Sequence, residues 1–151
     1  MNILVIHGPN LDLLGVREPN VYGRLTLRRI DALIKRHAAS RKARLRIYQS
    51  NHEGRIIDLI GRYRIWADAL IINPAAYTHY SYAIRDAIKA SGLPAVEVHL
   101  SDVMKREPFR RRSVTKDVCI AQVRGLGAGS YLKAVDLCLA FAQGDGKNAR
   151  S

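Results

Sequence analysis

The alternation of apolar and polar positions divides the chain into short apolar runs and helical stripes. Asn2-Ile3-Leu4-Val5-Ile6 is apolar and rich in β-branched residues, and His7-Gly8-Pro9-Asn10 follows at once. That order predicts a buried strand running into a turn. A glycine-bounded loop spans 15–23. Leu27, Ile30, Leu33 and Ile34 then recur at three- and four-residue spacing, which predicts an amphipathic helix over 26–39. Arg44 to Gln49 alternates charged and apolar side chains, as a strand with one wet face at a sheet edge does. After the polar turn 50–54, Ile56, Ile57, Leu59, Ile60 and Tyr63 form a second helical stripe. Ala69 to Ile72 is wholly apolar and reads as a central parallel strand. Ser81 opens a helix with Ile84, Ala87 and Ile88 inward, and Gly92 followed by Pro94 stops it. Residues 95–100 and 118–123 predict two further strands, with a basic loop at 101–113 between them. A last helix is expected over about 130–142, with Leu132, Val135, Leu139 and Ala142 inward.

Strand and helix alternate five times, which calls for a parallel sheet with helices on both faces and right-handed crossovers. Five such units predict an α/β, three-layer flavodoxin-like fold of strand order 2-1-3-4-5, with the half-charged second strand at an edge. The expected organisation is one catalytic domain over 1–143 and a flexible C-terminal tail at 144–151. A length of 151 residues, 48% of them hydrophobic, suits one core. No apolar run approaches the ~18 residues of a membrane span. The five-residue apolar run at the start has neither a basic leader nor a small-residue cleavage site, so a cytoplasmic location is expected. Cys119 and Cys138 fall in core segments and read as packing residues.

Charge widens the possibilities and then narrows them. The net charge of +12 and pI near 10.2 favour nucleic acid or a small anionic ligand. The positive charge is concentrated at Lys35–Arg46 and Lys105–Arg112. Neither run is interleaved with aromatics as single-strand-binding surfaces are. Most of these residues therefore read as a solvated helix end and a solvated loop, with no nucleic acid and no membrane as partner.

The unusual polar residues all follow strands, where open α/β sheets bind ligands. Asn10 and Tyr22 follow the first strand, Asn51-His52-Glu53 the second, Asn73 and His79 the third, and His99 with Ser101 ends the fourth. Side chains two apart on a strand share a face, so Glu97 and His99 can lie together. A carboxylate beside an imidazole favours the protonated ring and fixes its tautomer, as a general acid requires. Spacing alone fits a solvated pair equally well. A phenol, with its ordinary pKa of ~10, is a poor base at neutral pH unless a cation lowers that value by ~1–3 units. Arg17, five residues before Tyr22, is such a cation; a loop tyrosine also serves as packing or lid, so the residues leave its role open. His7 is either a ligand contact or a satisfied histidine near the core. His52 suits a helix cap with supporting hydrogen bonds. His79 and His99 lack the spacing of metal ligands. Gly125-x-Gly127-x-Gly129 is not the G-x-G-x-x-G of a dinucleotide site and reads as a tight turn with close packing.

Five blocks in register carry a family resemblance. Gly8-Pro9-Asn10-Leu11-Asp12-Leu13-Leu14-Gly15-Val16-Arg17-Glu18-Pro19, with Tyr22-Gly23, strongly resembles the opening of the type II 3-dehydroquinate dehydratases. Gln49-Ser50-Asn51-His52-Glu53-Gly54, Ile72 to His79, Glu97-Val98-His99-Leu100-Ser101, and Arg106 to Arg110 with Gly125-Leu126-Gly127 continue it, over about residues 2–142. The resemblance implies a hydro-lyase that takes water from 3-dehydroquinate to give 3-dehydroshikimate, in the shikimate or quinate pathway, without metal, cofactor or Schiff base. It implies that Tyr22, as tyrosinate, takes the C2 proton while Arg17 lowers its pKa. An enolate forms, stabilised by a water that Asn10 holds, and His99, paired with Glu97, protonates the leaving C1 hydroxyl. Asn73, His79, Ser101 and Arg110, with the Leu100 and Ser101 amides, would grip the substrate, and Arg106 would support a closed lid. Asp86 matches a position that reaches a neighbouring subunit's site, in a homododecamer built as a tetramer of trimers.

The chain departs from the family pattern in places. Asp102 stands where Asn is usual, Ala75 where Gly is common, Asp12 where Asn is common, and 114–124 lacks the usual Pro and Gly. A flavodoxin-like binding module using the basic patches is the main rival reading, and an inactive paralogue the second. Against both, Asn10, Arg17, Tyr22, Glu97 and His99 all keep the expected type and order.

Overall fold

β1 (Asn2–His7), β2 (Arg44–Gln49), β3 (Ala69–Asn73), β4 (Ala95–Val98) and β5 (Ala121–Val123) form one parallel sheet of order β2-β1-β3-β4-β5. This computed structural model describes residues 1–16, 20 and 24–148. The order is the flavodoxin-like 2-1-3-4-5 that the five alternations predict. β1 and β3 are apolar on both faces because helices cover both. Leu4, Ile6, Leu70 and Ile72 pack toward α2 (Glu53–Tyr63) and α3 (Tyr82–Ser91). Ile3, Val5, Ala69 and Ile71 pack toward α1 (Leu27–Ser40) and α4 (Gly129–Asn148). Each isoleucine or leucine so buried contributes roughly 1.5–3 kcal/mol before chain entropy is set against it.

The helices begin and end where local chemistry directs. Thr26 caps α1 by accepting from the Arg29 amide, and Ile30, Ile34 and Ala38 turn inward at four-residue intervals. Ser81 caps α3 through the Ile84 amide, and Gly92, at φ 70°, ends it in the left-handed region. The charged strand β2 does lie at the edge, and Arg46 stacks over the rings of Tyr63 and Trp66, 5.0 and 4.6 Å from their centroids.

Three boundaries differ from the sequence expectation. β4 stops at Val98, two residues early, and β5 keeps only Ala121–Val123, because Lys116–Val118 turns as a 3-10 helix. α4 continues to Asn148, past the expected end near 142; no proline interrupts it, and glycine within a helix weakens it without breaking it. The buried stripe of α4 is also rotated. Tyr131, Ala134, Val135 and Cys138 are fully buried, whereas Ala142 is exposed. The Tyr131 ring sets that rotation by packing edge-on against His7, with centroids 5.1 Å apart. Among the described residues, no helix is long and apolar enough to cross a membrane.

Candidate active site

Parallel strands bring their carboxyl ends to one edge of the sheet, and a cleft of about 140 Å³ opens there. Asn10, Asn73, His79 and His99 line it, as do Leu100, Ser101, Arg106 and Arg110. Asp86 is exposed on α3 and Glu97 is wholly buried; neither lines the cleft. Arg17 and Tyr22 lie outside the described residues. Among those described, no cluster of three His, Cys, Asp or Glu side chains could hold a metal ion.

The β1 turn forms one wall. A Cβ on Gly8 would meet the Asn73 carbonyl oxygen and the Pro74 backbone at 2.7 Å, so only glycine lets the two strand ends pass so closely. The Gly8 amide donates to that Asn73 oxygen at 2.8 Å. Asn10 follows in the left-handed region, φ 66°, a conformation asparagine tolerates. Its amide donates to Asn51 Oδ1 at 2.9 Å, and Gln49 Nε2 donates to the same oxygen at 3.0 Å. Asn51 thus orients the Asn10 loop. His52 stands at the N-cap of α2 as expected, yet its side chain makes no cap bond; Ser50 Oγ instead accepts from the His52 amide.

The opposite wall carries the imidazole–carboxylate pair. His99 Nε2 lies 2.6 Å from Glu97 Oε1, and since a carboxylate only accepts, Nε2 carries the proton. The pair is not solvated: Glu97 is 0% and His99 5% exposed. A buried carboxylate needs donors. Thr78 Oγ1 supplies one at 2.6 Å, Thr115 Oγ1 at 2.8 Å, Ser113 Oγ at 2.9 Å and Gln122 Nε2 at 3.1 Å. Burial pushes the Glu97 carboxyl up, but the His99 hydrogen bond and charge, with Thr78 and Thr115, outweigh it and bring it down to about 2. Glu97 is therefore a fixed anion behind His99, and among the described residues Nδ1 of His99 has no protein partner. The arrangement can hold an imidazole proton at the cleft.

His79 is set differently. Its Nδ1 lies 2.7 Å from the Arg112 carbonyl, which only accepts, so Nδ1 is the protonated nitrogen of the ring. Burial lowers its pKa; the Arg112 bond opposes that, and the charges of His99 and Arg110 reinforce it. A neutral His79 leaves Nε2 as an acceptor. Arg110 sits over the Phe109 ring, 4.7 Å from its centroid, and its Nε donates to Glu107. Leu100 and Ser101 are braced from below: their carbonyls accept from the Gly127 and Gly125 amides at 3.0 and 3.1 Å. Both glycines have positive φ, and a Cβ on Gly125 would press on Asp102 Cβ at 3.2 Å. The three-glycine stretch is the tight turn its spacing suggests, closely packed at Gly125 and open at Gly127.

The family model described as dehydroquinase class II matches residues 1–139. The chain belongs to the class II dehydroquinase family. It is 53% identical over 136 residues to the 3-dehydroquinate dehydratase of Dictyoglomus turgidum, covering 90% of this chain and 94% of that one. The 3-dehydroquinate dehydratase of Carboxydothermus hydrogenoformans is 52% identical over 131 residues, covering 87% and 85%. The crystal structure of type II dehydroquinase from Butyrivibrio crossotus superposes with a TM-score of 0.89 at 47% identity, covering 91% of this chain and 97% of that one.

Two departures from the dehydroquinase pattern acquire a physical reading. Asp102 Oδ1 caps the Met104 amide and accepts from Arg124 Nε, both at 3.1 Å, so its charge is spent away from the cleft. Ala75 has φ 51°, a region that favours glycine, while its amide donates to Asn73 Oδ1 at 3.0 Å. The dehydroquinase site also uses residues that the sequence reading passed over. Thr78, Ser113, Thr115 and Gln122 surround Glu97 although none belongs to an apolar period. The available signal was Glu97 itself: an acid between Val96 and Val98 in an apolar strand must find donors elsewhere. Cys119 and Cys138 are packing thiols, both pushed up to about 12, by burial first and for Cys119 also by Glu97.

Proposed function

We propose that this dehydroquinase eliminates water from 3-dehydroquinate to give 3-dehydroshikimate through an enolate. The observation that carries the reading is the buried Glu97–His99 pair, 2.6 Å apart, with His99 at the cleft wall. Tyr22, as tyrosinate made accessible by Arg17, takes the C2 proton. The electron pair moves into the enolate, which a water held by Asn10 stabilises. The enolate then expels the C1 hydroxyl, and His99 gives it a proton so that it leaves as water. Glu97 stays anionic throughout and supports the imidazolium.

Binding follows from the remaining polar groups. Arg110 and Arg106 bring positive charge to a cleft that takes a carboxylate, and Arg106 supports the closed lid. A trans peptide whose Leu100 carbonyl faces Gly127 turns the Ser101 amide the other way, as a donor for the substrate. Asn73, Ser101 and the acceptor nitrogen of His79 engage the substrate's hydroxyls and carboxylate. Asp86, exposed on α3, completes the site of a neighbouring subunit in a homododecamer, which predicts a particle twelve times the 16.9 kDa chain mass by light scattering. A cytoplasmic location belongs to the same reading, whereas residues 144–148 of the expected 144–151 tail continue α4 as helix.

The test is the absorbance of the conjugated enone after 3-dehydroquinate is added to metal-free, borohydride-treated protein. Saturating turnover supports the dehydratase; a flat trace from treated and untreated protein alike sinks it. Tyr22→Phe should keep substrate binding by calorimetry and lose nearly all turnover, and retained turnover would remove the tyrosinate from the mechanism.

A further inference from the structure

The donors that hold Glu97 are divided between its two oxygens. Oε1 faces His99 Nε2 at 2.6 Å and accepts from Thr78 Oγ1 at 2.6 Å and Gln122 Nε2 at 3.1 Å. Oε2 accepts from Thr115 Oγ1 at 2.8 Å. Ser113 Oγ spans the two, 2.9 Å from Oε2 and 3.0 Å from Oε1, so Thr115 is the donor that serves Oε2 alone. Thr115 is 0% exposed and does not line the cleft. It stands at the N-cap of the 3-10 turn Lys116–Val118, where a threonine hydroxyl ordinarily accepts from an amide of the first turn. Here the side chain makes no cap bond. Ser113 Oγ accepts from the Lys116 amide instead, at 3.0 Å, and from the Thr115 amide at 3.3 Å. The Thr115 hydroxyl is thereby released to the carboxylate, whose oxygens accept its proton. The backbone that carries it is fixed from two sides. The Val114 amide donates to the Thr78 carbonyl at 2.8 Å, and Arg85 Nη1 donates to the Val114 carbonyl at 2.7 Å.

We propose that Thr115 is a positioning residue for His99: its hydroxyl pins Oε2 of Glu97, so that Oε1 stays aimed at Nε2 and the ring keeps Nδ1 open to the cleft. The last torsion of a glutamate is broad, so a carboxylate held through one oxygen can turn about it. A donor dedicated to the second oxygen stops that turn. Nε2 carries its proton whether the ring is neutral or charged, so the lock acts in both states of the acid. Thr115 lies in the 114–124 stretch, where the chain departs from the family pattern. The proposal deepens the dehydratase reading and rests on it, because it needs His99 to be the acid.

The test is a double-substitution cycle. Thr115→Val keeps the side-chain volume and removes the hydroxyl. It should lower kcat about fivefold to tenfold with KM changed by less than about twofold, the size of one hydrogen bond to a charged group. Thr115→Ser keeps the donor and should recover kcat to within about twofold of wild type. In a His99→Ala background, Thr115→Val should change kcat by less than about twofold. An unchanged kcat, a fall carried by KM, a fall that serine does not recover, or an equal fall without His99 would overturn the proposal. Thr115→Ala, with less bulk beside Glu97, carries the same expectations if the valine variant does not fold. Nitrogen-15 spectra of histidine-labelled protein, recorded where the ring is neutral, read the lock without turnover. His99 should be Nε2–H alone in wild type and gain an Nδ1–H share in Thr115→Val or Thr115→Ala; an unchanged spectrum overturns the proposal even in an active enzyme. If the spectra change as expected while wild-type protein shows no turnover, the dehydratase reading fails and the positioning of His99 by Thr115 stands.

Discussion

Two imidazole–carboxylate pairs stand at the same edge of this sheet, built in opposite senses. In one, Glu97 is sealed among four side-chain donors besides His99, and His99 is the member that meets the cleft. In the other, His7 is sealed, its second nitrogen is spent on Tyr131, and the carboxylate of Asp31 is the part nearer solvent. The chemistry of the two side chains is the same; the access differs. A general acid must keep one nitrogen open to the cleft while the other is held, and of the two pairs the one with His99 has that geometry. His7 has both nitrogens held, which suits orientation and prevents proton delivery. The contrast shows why residue type alone does not separate a cleft-facing histidine from a structural one.

Several substitutions would break or sharpen that contrast. His99→Ala should lower kcat by about 100- to 10,000-fold with KM changed far less, because it removes the proposed acid and leaves the other cleft-lining groups in place. Steady-state kinetics decide it, and a loss under tenfold would put the two histidines on one footing. The sealed Glu97 makes the next largest effect. Its carboxyl is held at about 2, well below the ordinary glutamate range. That difference is stability of about 3 kcal/mol. A depressed folded-state value means this stabilisation is whole above the unfolded pKa and is lost as pH falls from there through about 2. Denaturant unfolding between pH 6 and 2.5 should show the loss in wild-type protein and a flatter profile in Glu97→Gln; parallel profiles would mean the cage does not hold the anion.

On the His7 side the effects are smaller. Gly8→Ala would drive a Cβ to 2.7 Å from the Asn73 oxygen and the Pro74 backbone, and backbone cannot swing aside as a long side chain can. A loss of about 1–3 kcal/mol is expected from the forced separation, together with a raised KM as Asn73 shifts; unchanged melting and kinetics would contradict it. Ala75→Gly should move the other way. Relief of an L-residue from φ 51° outweighs the entropy glycine gains in the unfolded chain, so stability should rise by about 0.5–1 kcal/mol. A lower melting temperature would show that Ala75 carries no strain.

Much of this is legible in the sequence. Apolar periodicity is a local property, and the runs at 2–6, 44–49 and 69–72, with caps at Ser81 and Gly92, determined the sheet order and placed β2 at its edge. Two-residue spacing brought Glu97 and His99 together, and the strand-end rule gathered Asn10, Asn73, His79 and Ser101 into one cleft. Spacing had nothing to say about which pair is sealed. Thr78, Ser113, Thr115 and Gln122 reach Glu97 from 16 to 25 residues away, and Tyr131 meets His7 across 124. Such bonds depend on how helices seat on the sheet. The seating of α4 differed from its apparent stripe because a buried phenol needs a hydrogen-bond partner as well as an apolar wall. Local pattern sets which face of each element turns inward; only the packed molecule decides which polar atoms find one another there, because burial makes an unpaired donor costly and satisfies it with whatever the fold has brought within 3 Å.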